Sequence, residues 1–216
     1  MKIIEPSVEI IDDIDGEQIL QKLERCGKVS RKSDLGDAEN FVRSIIKRGH
    51  ESVLEHVSLT FHIICDRAIM AELTRHRLAS FTVESTRYVK YDELTFVRPH
   101  LQSSTYGMSE EKYEDSLRKN QAYFVLTNCA FESQMRKVEK FYQQLIDGGI
   151  KPEQARAVLP LCLATELYMT ANLRELRHIL KLRTDKAAHP QMRVVAGQIL
   201  DILREKLPVI VEDITP

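Results

Sequence analysis

The chain has 216 residues, 43% of them hydrophobic, and its 31 Lys and Arg against 32 Asp and Glu leave a formal net charge of −1; this is enough chain for a single domain, residues 1–216, with a real core. The balance argues against a protein built for nucleic acid, which carries a general basic excess, and confines any anion site to a local arginine cluster. Cys26, Cys65, Cys129 and Cys162 form no CxxC pair, which excludes a zinc ribbon or a thioredoxin-like motif and leaves buried, reduced thiols as the expectation.

No apolar run approaches the roughly 18 residues of a membrane span, and MKIIEPSVEI lacks the apolar stretch of a secretory signal, so a cytoplasmic protein is expected. Residues 2–10 alternate well enough for one strand. Ile19, Leu20, Leu23 and Cys26 predict a short helix ending near Gly27, and residues 37–48 a second, with Phe41, Ile45 and Ile46 on one side and Gly49 as its stop. The clearest strand is 56–65: Val57, Leu59, Phe61 and Ile63 fall on one face and His56, Ser58, Thr60 and His62 on the other.

Residues 67–77 read as a helix closed by Arg75, His76 and Arg77. Three consecutive helical residues point about 100° apart, so the triplet serves several ligands or a ligand shared between subunits. Residues 93–98 suggest a strand, and 109–146 a long helical stretch broken near Asn128. Asp147, Gly148, Gly149 and Pro152 mark a turn before a short helix from Ala155 to Val158. Residues 162–171 fit strand or helix. Asn172 with Glu175 three residues on reads as a capping box for a helix that buries Leu173, Leu176, Ile179 and Leu180 and turns Arg174, Arg177, His178 and Lys181 outward. Pro190 opens a last helix to about Leu207.

The chemistry-bearing run is RHRLASFTVESTRY, residues 75–88, which crowds arginines, a histidine and hydroxyls into fourteen positions and suits phosphate and a polar ring. Arg156, in ARAVLPL, and Arg183, in ILKLRTD, stand beside apolar runs where a merely solvated arginine is less expected. No metal site is expected: His56 and His62 on one extended strand lie about 20 Å apart, too far to share an ion. His178 lies one turn from Arg174 and can share a ligand with it. Ser85 has no G-x-S-x-G elbow around it, and neither a P-loop nor a G-x-G-x-x-G run is present. An enzyme of this composition leaves its hard chemistry to a cofactor.

Arg75-His76-Arg77 followed by seven residues and Ser85 resembles the signature of the flavin-dependent thymidylate synthases. GHESVLEHVSLTFHI (49–63), ARAVLPL (155–161) and NLRELRHILKLRTD (172–185) resemble further segments of that family, in order and at compatible spacing. The resemblance implies an α+β fold, a central, mainly antiparallel sheet flanked by helices with a long helical segment, assembled as a homotetramer with active sites where subunits meet. It implies reductive methylation of dUMP to dTMP, with methylenetetrahydrofolate as carbon donor, NADPH as reductant and FAD delivering hydride. His50, Ser52, Arg75, His76, Arg77, Asn172, Arg174 and His178 would contact FAD. Glu72, Arg75, Glu84, Ser85, Thr86, Arg87, Arg156 and Arg183 would contact dUMP, with Arg183 as the catalytic group that stabilises uracil ionised at N3. The chain departs from the family at Thr82 and Val83, where many members carry Asn-Glu, at Glu72 in place of a frequent Gln, at Leu173 and at His178. Val83 motivates an alternative, a flavin- or nucleotide-binding homologue without methyl transfer. An RNA-binding module built on the arginines is a further alternative, opposed by the charge balance.

Overall fold

The computed structural model describes residues 1–32, 34–99 and 110–215. They form two compact units, one of Pro6–Glu84 with Thr165–Pro216, the other of Met1–Glu5 with Ser85–Ala164. The expected single strand over 2–10 is two, β1 (Lys2–Ile4) and β2 (Ser7–Ile10). Between them Pro6 has no N–H to give a ladder, and its carbonyl instead accepts from Gln198 Nε2 at 3.1 Å.

In the larger unit, α1 (Gly16–Lys28) and α2 (Ala38–Lys47) begin at Asp15 and Asp37, whose carboxylates accept from Gln18 N and Asn40 N. Gly27 does not end α1 but lies inside it, where a Cβ would come within 2.4 Å of the Phe41 ring, so the helices approach closely there. Gly49 follows α2 at φ 72°. A side chain there would meet no neighbour, so the positive φ alone demands glycine. Gly49→Ala is expected to cost about 1–2 kcal/mol, read as a lower urea midpoint.

A 3-10 turn over Glu51–His56 leads into β3 (Ser58–Asp66), whose alternation is the one predicted: Leu59, Phe61 and Ile63 are buried. α3 (Arg67–Leu73) and β4 (Ser80–Val83) follow, then, after the long insertion that carries β5 (Thr95–Val97), β6 (Ala164–Asn172). The ambiguous 162–171 stretch is thus a strand. The sheet order is β2-β3-β6-β4, with β2–β3 and β4–β6 antiparallel. Thr60 and Thr170 hydroxyls meet at 3.0 Å, and His62 stacks on Tyr168 at 4.9 Å, across β3 and β6.

One face of this sheet is covered by α6 (Leu173–Arg183) and α7 (Pro190–Lys206), and a short α8 (Pro208–Val211) closes the unit. Leu176, Ile179, Leu180, Ile199, Leu200 and Leu203 join the sheet's inner residues in one core; each such side chain contributes about 1.5–3 kcal/mol at most.

The smaller unit pairs β1 in parallel with β5 (Thr95–Val97). α4 runs unbroken over Glu110–Asp147; the break expected near Asn128 is absent because no Gly or Pro interrupts those residues. Residue 109, the expected start, lies outside the described residues. Gly149 at φ 84° turns the chain into α5 (Pro152–Ala155) and a 3-10 turn, Arg156–Val158. Leu94, Phe96, Tyr142, Ala155 and Leu163 form this unit's core. The fold is α+β, with an antiparallel sheet flanked by helices. Among the described residues no helix is long and apolar enough to cross a membrane. Cys65 is buried, Cys26 and Cys162 are half-buried, and Cys129 is exposed on α4, against the expectation of burial for all four.

Candidate active site

The Arg-His-Arg triplet does not close a helix. α3 stops at Leu73, where the Thr74 hydroxyl bonds back to the Ala71 carbonyl. Bonds from Arg75 N to Glu72 O and from His76 N to Leu73 O then carry the chain through tight three-residue turns. The result alternates: Arg75 and Arg77 are exposed, while His76 between them is 6% exposed.

His76 meets Arg183 at the last turn of α6. Arg183 Nε donates to His76 Nε2 at 3.0 Å, Nη1 to Glu72 Oε2 at 2.9 Å and Nη2 to the Glu72 carbonyl at 3.2 Å. Among the described residues three of its five N–H groups are engaged, and two remain to meet a ligand. Because Nε2 accepts, the proton of His76 sits on Nδ1, 3.5 Å from Glu175 Oε1. Burial first, then the charges of Arg183 and His178, push His76 down to about 4, so it is neutral at physiological pH.

His76, Glu175 and His178 bring three possible metal-ligating atoms within 4.8 Å of one another. Their chemistry suits a proton better than an ion. A metal on Nδ1 would force a proton onto Nε2, facing the Arg183 N–H donor, and a metal on Nε2 would displace Arg183 itself.

Beside this cluster, α6 and the Glu51–His56 turn enclose a groove of about 640 Å³, walled by Glu55, Leu78, Asn172, Arg174, His178 and Lys181 among others. Asn172 Oδ1 caps α6 by accepting from Glu175 N at 2.9 Å. The carboxylate of Glu175 faces His76, so the cap is as predicted without the reciprocal half of the box. Asn172→Ala is expected to lower stability by about 1 kcal/mol and Asn172→Asp to restore it, read from urea midpoints. Arg174 is half exposed and paired with Glu55, an ion pair of little net worth that a ligand anion can exchange. His50 and Ser52 are exposed on either side of Glu51 but are not among the groove's walls.

The other expected contacts lie in the smaller unit. Thr86 is buried and accepts from Arg156 Nη1 at 3.2 Å, Arg87 N donates to Ser85 Oγ at 3.3 Å, and the Arg87 guanidinium stands 5.4 Å from the Tyr88 ring centroid. Arg156 itself is exposed. In the larger unit the structure thus brings together Glu72, His76 and Arg183, and lines the groove with Asn172, Arg174 and His178, while Arg75, Arg77, His50, Ser52 and Glu84 belong to the same unit without joining either group; in the smaller unit it pairs Thr86 with Arg156 and Ser85 with Arg87.

The family described as Thy1, thymidylate synthase complementing protein, matches residues 11–209. A flavin-dependent thymidylate synthase of Geobacter sulfurreducens is 32% identical over 190 residues, 88% of this chain and 75% of that one. The chain belongs to the Thy1 family, the flavin-dependent thymidylate synthases. A relative so named from Thermococcus onnurineus is 36% identical over 169 residues, 76% of this chain but 61% of its own length, so the chain spans less than two thirds of that protein. Among solved structures, a UMP/dUMP methylase, PolB, from Streptomyces cacaoi, bound with 5-Br dUMP, superposes with a TM-score of 0.74 at 27% identity, covering 98% of this chain and 96% of that one.

Two site features of this Thy1 chain escaped the sequence reading. Arg177, expected outward, is 1% exposed; Leu173, Leu176, Arg177 and Leu180 follow the i, i+3, i+4, i+7 rhythm of a buried stripe, a signal that was available. Val83, where many members carry Glu, packs with Phe81 on the core side of β4, and Thr82 is exposed on the other side.

Proposed function

We propose that this chain, residues 1–216 acting as one synthase domain in the cytoplasm, methylates dUMP to dTMP reductively, with methylenetetrahydrofolate as carbon donor and NADPH as reductant. The observation that carries the reading is Arg183: it is oriented by a carboxylate, a carbonyl and a neutral imidazole, with two N–H groups left for a pyrimidine edge. A guanidinium held there favours negative charge at uracil N3, which feeds electron density toward C5 and makes that carbon nucleophilic without an enzyme thiolate. The Cys65 thiol supports this economy, since burial pushes it up to about 12 and leaves it inert.

FAD is the group that would supply hydride. The groove's cations fit a ligand carrying phosphates: Arg174 and Lys181 stand in ion pairs with Glu55 and Asp213 that a ligand anion can exchange, and His178 offers a ring nitrogen. His50, Ser52, Arg75, Arg77, Asn172, Arg174 and His178 are assigned to FAD, with His76 acting from behind Arg183. Glu72, Arg75, Glu84, Ser85, Thr86, Arg87, Arg156 and Arg183 are assigned to dUMP. A homotetramer with active sites at subunit contacts belongs to the same reading.

The test is an absorption spectrum of protein mixed with FAD and desalted, then anaerobic NADPH with and without dUMP, then a dTMP assay. Retained flavin, bleached by NADPH, followed by dTMP formation is the expected result; no retained flavin with dUMP present rejects it. The inward Val83 favours one second reading, a homologue that binds flavin and dUMP without turnover, which dTMP formation excludes.

A further inference from the structure

The guanidinium of Arg177 has all five of its N–H groups satisfied inside the larger unit. Nε and Nη2 donate to Glu51 Oε1 at 3.2 and 3.1 Å. Nη1 and Nη2 form a two-pronged contact with Asp213 Oδ1 and Oδ2 at 2.7 and 2.8 Å. Nη1 also donates to the Ile210 carbonyl. Lys181 adds a second cation, 3.2 Å from Asp213 Oδ2, so two carboxylates and two cations balance. A buried arginine with every donor used is a fixed point: moving it breaks several charge-assisted bonds at once.

What it fixes is one wall of the groove. Glu51 is the first residue of the Glu51–His56 turn. The far end of that turn is held where Leu173 N donates to the Val57 carbonyl at 2.9 Å, and its middle by fully buried Leu54. Without Arg177 the first residue of the turn, lying between His50 and Ser52, loses its anchor to α6 while the other two attachments remain.

We propose that Arg177 is a positioning residue for the flavin site: through Glu51 it sets the His50–Ser52 segment against α6 and so shapes the groove before the cofactor arrives. This rests on the reading of the groove as the FAD site. Asp213 takes the adjoining edge of the same guanidinium, through Nη1 and Nη2, and ties it to the C-terminal segment rather than to the groove wall.

The experiment measures FAD dissociation constants by flavin fluorescence, with urea midpoints alongside, for the full chain and for Arg177→Lys, Glu51→Gln, their combination and Asp213→Asn. Lysine keeps the charge but lacks the planar fork. Arg177→Lys and Glu51→Gln are each expected to weaken FAD about tenfold, and the double variant no further, because both break one link. Asp213→Asn is expected to lower the urea midpoint without weakening FAD, because it leaves the Arg177–Glu51 link in place and frees Lys181, a cation of the groove wall. Wild-type affinity in folded Arg177→Lys and Glu51→Gln, or effects that add in the double variant, would overturn the proposal. Should Arg177→Lys fail to fold, Glu51→Gln alone decides between these outcomes. A wild-type chain that binds no FAD instead sinks the flavin reading itself, a result distinct from unaffected variants.

Discussion

Arg183→Ala is expected to keep the fold and lower dTMP formation by roughly two to three orders of magnitude or more. Arg183 is partly exposed, at 21% for its side chain, and its partner Glu72 more so, at 37%. Deleting the guanidinium therefore leaves a carboxylate that water can reach, and the structural loss is small. The catalytic loss is large because the guanidinium acts where charge develops, on the pyrimidine. Arg183→Lys separates charge from shape: a point charge without the fork cannot contact Glu72 and His76 while also reaching the ring. Single-turnover dTMP formation and dUMP binding, measured together, check this. A near-normal rate in Arg183→Ala removes Arg183 from the chemistry.

The second large effect is on acid stability. An unfolded histidine titrates near 6.5, whereas His76 in the folded chain does so at about 4. The unfolded state therefore binds the extra proton first. Stability from this group is complete above pH 6.5 and is lost as pH falls toward 4, by at most about 3 kcal/mol. Burial and the charges of Arg183 and His178 disfavour the cation, and protonating His76 would also turn Nε2 into a donor facing the Arg183 N–H. His76→Gln offers Arg183 an acceptor but does not titrate, so its urea midpoint should fall less than that of the parent chain between pH 7.5 and 4.5. Identical pH profiles for the two proteins would contradict the assignment. Asp213 adds a later step at lower pH: Arg177 holds it down to about 2, so its contribution is present above the ordinary carboxylate range and fades below it.

Much of the larger unit was legible because its periodicities are local. The alternation of β3 and the apolar stripe and Asn172 cap of α6 can be read from neighbouring residues. What was not legible depends on distant partners. Arg183 and Glu72 are 111 residues apart in sequence, and Arg177 and Glu51 are 126 apart. A charged residue on a buried stripe reads as exposed until its counter-charges are known, which is why Arg177 was turned the wrong way. The Arg-His-Arg run was misread for a local reason: Thr74 can bond its own backbone, and that hydroxyl, not apolar spacing, ends α3. The expected contacts are divided between the two units; the four signature segments supplied them by family likeness, since no spacing rule connects Arg156 to Thr86.

The outward-inward-outward turn after Leu73 gives the triplet a reading frame. Moving its register by one residue, by insertion or deletion between Leu73 and His76, would exchange the interior imidazole for a guanidinium. That cation would then occupy the place 3.0 Å from Arg183 Nε, where two fixed positive charges repel strongly in a partly dry setting. Arginine-arginine-histidine and histidine-arginine-arginine have the same composition and net charge as the native order, yet each would put a cation where a neutral acceptor is needed. The order of the three letters, and not their sum, is therefore what this segment has to preserve.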